Sequence, residues 1–293
     1  MKHILQQSLV MGLCALFMGC STNVTHAKNK TIETVAQNLT CDKVDKKIAR
    51  ALKQSFETSG YNYANNSTTD YDKTETANQS VASILTSYTQ QADSIACQFP
   101  HSVKEGLLFK TSDDKRFRAY TWDENTGGTM HFYSALVQYI DDDGNSHGLY
   151  EASLLNEDKE STNQVAGRLY DLATIHAAKQ TYGSPIYVLA SHAIGSNIDR
   201  AITIKLFQIN NDSLNNPNLI KTRTRYTDEI SFSYDASSLY VNKINRQLFE
   251  FNSSDNSFSF PVVLASDKFY SGEVTKKRIV YRFDGQYFKR VKN

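Results

Sequence analysis

The chain has little of what usually announces a catalyst. Four cysteines, four prolines and one tryptophan are spread over 293 residues. No two cysteines form a C-x-x-C pair, and no HExxH, G-x-S-x-G or P-loop segment is present, which leaves the zinc hydrolase, α/β-hydrolase and nucleotide-hydrolysing classes without their signatures. Charge of one sign is also missing. Lys plus Arg number 32 against 31 Asp plus Glu, so no overall field draws in nucleic acid. No apolar run reaches the roughly 20 residues that a membrane-spanning helix needs.

Hydrophobic residues make up 40% of the chain, with seventeen Tyr and fifteen Phe. That supply supports a folded core, and with so few prolines it points to sheet-rich architecture, because rings pack well on a half-buried pleated surface.

Met1-Lys2-His3 gives a short cationic start, and Ile4 to Met18 is mostly apolar, interrupted by Gln6, Gln7 and Ser8. Residues 1–19 therefore read as an export signal. The following Phe17-Met18-Gly19-Cys20 resembles the lipobox of the bacterial lipoprotein class. Gly19 and Cys20 match the class, whereas Phe17 and Met18 stand where Leu and a small residue are usual. The resemblance implies cleavage before Cys20, acylation of Cys20 and anchoring to a membrane, with each buried CH₂ contributing about 0.8 kcal/mol. Ser21 at the next position implies an outer-membrane destination in Gram-negative members of the class. The alternative is cleavage after Thr25-His26-Ala27, a small-x-small site that would release a soluble periplasmic or secreted protein. Residues 20–30 form a short polar tether in the lipoprotein reading.

With Cys14 in the signal and Cys20 acylated, Cys41 and Cys97 remain as an isolated pair in a chain bound for an oxidising space. A disulfide is the natural reading, and two separate buried thiols the alternative. Val44, Ile48, Leu52 and Phe56 recur every fourth residue after Asp42, predicting a helix over 42–58. Val81, Ile84, Leu85, Tyr88, Ala92 and Ile95 predict another over 78–97, and a shorter helical turn is expected around Ile32 to Leu39. Packed antiparallel, the two longer helices bring Cys41 beside Cys97. The polar insert 59–79, with Tyr61, Tyr63 and Tyr71, is expected to be a flexible loop. Residues 31–100 thus form a helical hairpin region.

From residue 101 to 293 the pattern is stranded. Short runs follow one another without intervening helices, with turn signals at Asp113-Asp114, Asp143-Gly144 and Asp284-Gly285. The expected class is α+β: a helical hairpin followed by a mainly antiparallel β domain, closed as a sandwich, barrel or propeller-like sheet. Ser238 to Val241 is counted among the strands, and Asp143-Gly144 as a type I′ turn.

The densest constellation runs from Tyr120 to His131 and holds Trp122, Asp123, Glu124, Gly127 and Gly128. Asp123, Glu124 and His131 flank a glycine turn and could meet for acid–base work. The structural reading is stronger: Trp122 as core, Gly127 and Gly128 as positive-φ turn residues, His131 bonding its neighbours. Tyr120, Trp122, Asp123 and His131 are retained as possible ligand contacts, with no catalytic residue assigned. His101, His147, His176 and His192 are scattered, so neither metal nor cofactor is expected, and Asp141 to Asn145 lacks the pattern of a calcium loop. Residues 219–226 are expected to form a strand, on which Lys221, Arg223 and Arg225 alternate with threonines and so share one face, and residues 268–293 carry eight Lys or Arg against Glu273 and Asp284. That places cations for an anionic partner such as lipid head groups or glycan phosphates, or else protects an exposed sheet edge.

Three functions fit: a non-catalytic envelope binding or accessory module, which leads; a periplasmic inhibitor or immunity-type protein with one protein partner; and an envelope-polymer hydrolase using Asp123, Glu124 and His131.

Overall fold

The computed structural model describes residues 40–60, 69–151, 165 and 167–291. The signal, lipobox, tether and first helical turn lie outside the described residues. Two helices, α1 (Cys41–Thr58) and α2 (Tyr71–Tyr88), pack against each other. On α1 the predicted stripe holds at Val44, Ile48 and Leu52, but Phe56 is 49% exposed and Ser55 is buried instead. Steps of four residues drift about 40° each around a helix of 3.6 residues per turn, so by the third step the residue has left the buried face.

Helix α2 begins at Tyr71, inside the predicted loop, because Asp70 caps it: its carboxylate accepts from Lys73 N at 3.1 Å. The helix also ends earlier than predicted, at Tyr88, and a 3-10 turn over Ala92–Ala96 carries the chain back to Cys97. The disulfide between Cys41 and Cys97 is present, with Cα atoms 5.7 Å apart. A short helix not foreseen in the sequence, α3 (Pro100–Lys104), is fixed to α1 by the buried Asp45. That carboxylate accepts from His101 N at 2.8 Å and from Ser102 N at 2.7 Å.

The strands then follow in chain order: β1 (Leu108–Thr111), β2 (Phe117–Asp123), β3 (Tyr133–Ile140), β4 (Ser146–Glu151), β5 (Arg168–Ile175), the one-turn helix α4 (Lys179–Tyr182), β6 (Ile186–Ile194), β7 (Asp199–Asn210) and β8 (Ser213–Asn215). The chain continues through β9 (Ile220–Lys221), β10 (Tyr226–Thr227), β11 (Glu229–Asp235), helix α5 (Ala236–Val241), β12 (Glu250–Asn252), β13 (Ser257–Leu264), β14 (Glu273–Phe283) and β15 (Phe288–Arg290).

They form three sheets. Sheet I is β1-β2-β3-β4, sheet II is β11-β7-β6-β5 with β8 on β7, and sheet III is β10-β9-β15-β14-β13-β12. Every described pairing is antiparallel except that of β15 with β9. The fold is α+β, as expected: a helical pair followed by three mainly antiparallel sheets packed as layers.

Side-chain alternation builds the layers. On β2, Tyr120 and Trp122 face the helices with Ile48, Leu52 and Val81, while Phe117 and Ala119 face sheet II with Tyr187, Leu189 and Phe207. On β6, Tyr187 and Leu189 meet sheet I, whereas Ile186, Val188 and Ala190 turn to sheet III and its Phe258, Phe260 and Tyr281. Sheets I and II are therefore covered on both faces, and the unbroken apolar run Ile186-Tyr-Val-Leu-Ala190 follows from that. The buried Arg118 lies 3.8 Å over the Phe109 ring and donates to Ile95 O at 2.8 Å, tying the 3-10 turn to sheet I.

Three local expectations are corrected. Residues 238–241 are helical, since Asp235 caps α5 by accepting from Ser237 N at 2.8 Å. The stretch 219–226 is two short strands joined by a turn in which the Thr222 hydroxyl accepts from Arg225 N and donates to Arg225 O. In the β3–β4 hairpin only Gly144 has positive φ, so the turn is not type I′; Ile140 pairs with Ser146, and Asp141 caps the intervening residues by accepting from Asn145 N at 2.7 Å. No helix among the described residues is long and apolar enough to cross a membrane. The disulfide is consistent with an extracytoplasmic protein.

Candidate functional site

The Tyr120 to His131 segment divides along its strand alternation. Tyr120 and Trp122 are fully buried beneath the helices, so neither reaches a ligand. Asp123 and His131 do meet: His131 Nδ1 lies 2.5 Å from Asp123 Oδ2, while Asp123 Oδ1 accepts from Asn125 N at 2.9 Å. Glu124 does not join them. Its carboxylate accepts from Ser134 Oγ at 2.5 Å, and that hydroxyl lies 3.1 Å from the Tyr150 hydroxyl.

The backbone of the same segment stitches three layers together. Glu124 O accepts from Asn78 Nδ2 of α2 at 2.7 Å and from Ser55 Oγ of α1 at 3.3 Å, and His131 N donates to Ile194 O of sheet II at 3.0 Å. Neither Gly127 nor Gly128 has positive φ; Asn125, at 58°, takes that conformation. Gly127 is required for space instead, because a Cβ there would lie 2.0 Å from Met130 O, whereas at Gly128 it would meet nothing within 4 Å. We therefore expect Gly127→Ala to lower stability by about 1 to 3 kcal/mol and Gly128→Ala to stay within about 0.5 kcal/mol. Urea denaturation of the two variants checks this, and equal midpoints would contradict it.

Two other histidines each meet one carboxylate. His147 Nε2 lies 2.8 Å from Asp141 Oδ2, and His176 Nε2 lies 2.9 Å from Asp113 Oδ2. His147 and the Asn145 donors hold the Asp141 carboxyl down at about 2. No cluster of three or more metal-ligating side chains occurs among the described residues.

Basic residues do converge. A groove of about 900 Å³ opens on sheet III, lined by Lys221, Arg223, Arg278, Lys289 and Arg290, with Tyr281 and Ile279 as apolar floor and no acid among its lining residues. Comparison with protein-family models, curated proteins and solved structures finds no match. Lys221 and Lys289 stand directly opposite each other in the parallel β9–β15 register, an arrangement that like charges disfavour. Arg278 is braced by Ser259 Oγ and Ser259 O, both at 2.9 Å, and by Glu250 at 3.4 Å. Asp284 pairs with Lys289 and holds its ammonium above the usual lysine range.

Lys221 and Arg223 of the predicted trio line this groove, and Arg225 does not; Arg223 and Arg225 lie in the turn, not on a strand face. The C-terminal basic segment supplies Arg278, Lys289 and Arg290. Edge protection does not account for these three, because β14 and β15 are interior strands of sheet III.

Proposed function

We propose that this chain is an exported envelope protein, anchored through an acylated Cys20, which acts as a non-catalytic accessory module by binding phosphate-bearing envelope material along the basic groove. The carrying observation is the opposed Lys221–Lys289 pair on interior strands, joined by Arg223, Arg278 and Arg290 around one concavity with no acid in its lining. Like charges on directly opposed residues disfavour the pairing, and an anion bound between them offsets that; Asp284 neutralises Lys289 in part, and Lys221 lies over the Tyr226 ring at 5.5 Å. The outer membrane is the destination that Ser21 supports; cleavage after Ala27, which would leave a soluble periplasmic or secreted protein, is the alternative.

The experiment uses the full mature chain with Cys20→Ser, so that any retention comes from the groove. Sedimentation with phosphatidylglycerol vesicles should capture the protein, with binding falling steeply as salt rises, while phosphatidylcholine vesicles should not. The triple variant K221E/R223E/R290E should bind at least about tenfold more weakly, since each cation near an anionic surface contributes about 1 kcal/mol. Equal capture of the variant and the parent would rule the groove out. A hydrolase reading has Asp123 and His131 together but lacks Glu124 beside them.

A further inference from the structure

A second concavity lies between sheet II and the segment around α5, where sheet II outruns its apolar contact with sheet III. Along most of that face sheet II presents Val188, Ala190, Ile202 and Ile204 to the core. One rung further, the same face becomes cationic. Arg168 stands opposite His192, which itself stands opposite Ile202. Arg200 stands opposite Ile194 on one side and Tyr234 on the other. Register partners, and residues two apart on a strand, share a face, so these side chains point the same way.

Tyr170 is brought onto this site by an irregularity in the β5–β6 register between Leu169 and Asp171. Such bulges re-aim a side chain. Its hydroxyl donates to Arg246 O at 2.7 Å and accepts from Leu248 N at 2.8 Å, which pins the segment after α5 as the opposite wall. The result is a cavity of about 490 Å³, inside the range of about 300 to 1,000 Å³ typical of small-molecule sites.

Its chemistry is one-sided. Arg168, Arg200 and Arg246 all line it, no acid does, and none of the three forms an ion pair with a described residue. Arg200 Nη1 is buried with no hydrogen-bond partner among the described residues, and Nη2 reaches only Asn197 O, at 3.5 Å. A buried guanidinium nitrogen left unpaired is costly. Burial pushes the His192 imidazole down to about 4, with the Arg200 and Arg168 charges adding to the fall; its Nε2 lies 2.9 Å from the Tyr234 hydroxyl. Leu239, Leu248 and Ile194 supply an apolar wall.

We propose that this cavity binds a small organic carboxylate with an apolar body, its carboxylate held by Arg200 with Arg168 and Arg246, and its body lying on Leu239, Leu248 and the Tyr170 and Tyr234 rings. Planar guanidinium forks suit a carboxylate in a two-bond geometry. The site is separate from the β9–β15–β14 groove and stands whether or not that groove binds anything.

The test titrates the full mature chain with 3-phenylpropionate, its amide and inorganic phosphate, followed by calorimetry and by the His192 ring resonances. Saturable binding of 3-phenylpropionate is expected, with the His192 pKa moving up from about 4 as a negative charge arrives beside it. The amide should not bind. R200Q and R246Q should each weaken the carboxylate by about tenfold or more; R246Q keeps the test informative if R200Q does not fold. No saturable binding, equal binding of the amide, affinity unchanged in R246Q, or displacement of the His192 resonances by phosphate alone would each overturn the assignment.

Discussion

Trp122→Ala is expected to lower stability by about 3 to 5 kcal/mol. The ring is fully buried between the helices and sheet I, in the cluster that includes Ile48, Leu52, Val81 and Leu85, and it stacks on Tyr150 with centroids 6.0 Å apart. Truncation would empty the layer junction that the neighbouring Glu124 and His131 backbone bonds hold closed. Trp122→Phe should cost much less, under about 1.5 kcal/mol, because the indole Nε1 has no partner among the described residues and its removal forfeits no hydrogen bond. Since this is the only Trp, urea unfolding has to be followed by far-UV circular dichroism. A loss below about 1 kcal/mol for the alanine variant would mean that the ring is not core.

Removing the Cys41–Cys97 bond is expected to cost about 4 kcal/mol by the chain-entropy relation for a bridge of this span; the two residues are 56 apart in sequence. The bond joins the start of α1 to the segment after α2, so its loss mainly returns conformational freedom to the unfolded chain. Cys41→Ala, Cys97→Ala and the double variant should fall by the same amount, because each removes the one crosslink. Reductant should shift the parent's melting temperature and leave the double variant unmoved. Alkylation of both thiols in protein isolated without reductant would refute the bond.

Much of the architecture was legible because it is local. The change from helical to alternating texture near residue 106, the hairpin signals and the pairing of Cys41 with Cys97 all reflect nearest-neighbour chemistry or simple elimination. What the sequence hid was set by single polar side chains or by register. Asp70 and Asp235 nucleate helices in stretches too polar or too short to show an apolar stripe. Thr222 satisfies the backbone that a longer strand would have used. Gly127 is fixed by one carbonyl that folding brings to it.

The sites divide in the same way. The basic groove was half visible as two charge runs, yet only the β9–β15 register shows that Lys221 and Lys289 are opposed. Arg168, His192, Arg200 and Arg246 were invisible as a group, because each is an ordinary residue in its own segment: the pairing of β5, β6, β7 and β11 gathers the first three, and the Tyr170 hydroxyl brings Arg246 to them.

The parallel pairing of β15 imposes an order of assembly. Phe288 fills the core beside Ile220, Phe258 and Phe283, and its strand lies between β9 and β14. Until residues 288–290 arrive, β9 and β10 have no sheet to join. Sheet III therefore cannot close progressively as the polypeptide is made, and the face of sheet II that it covers, with Val188, Ala190, Ile202 and Ile204, stays open until β13, β14 and β15 have been made. Long-range pairing of this kind is slow to form and exposed to aggregation in the meantime. A holding chaperone that keeps the unfinished chain extended would suit this topology better than early folding of its halves.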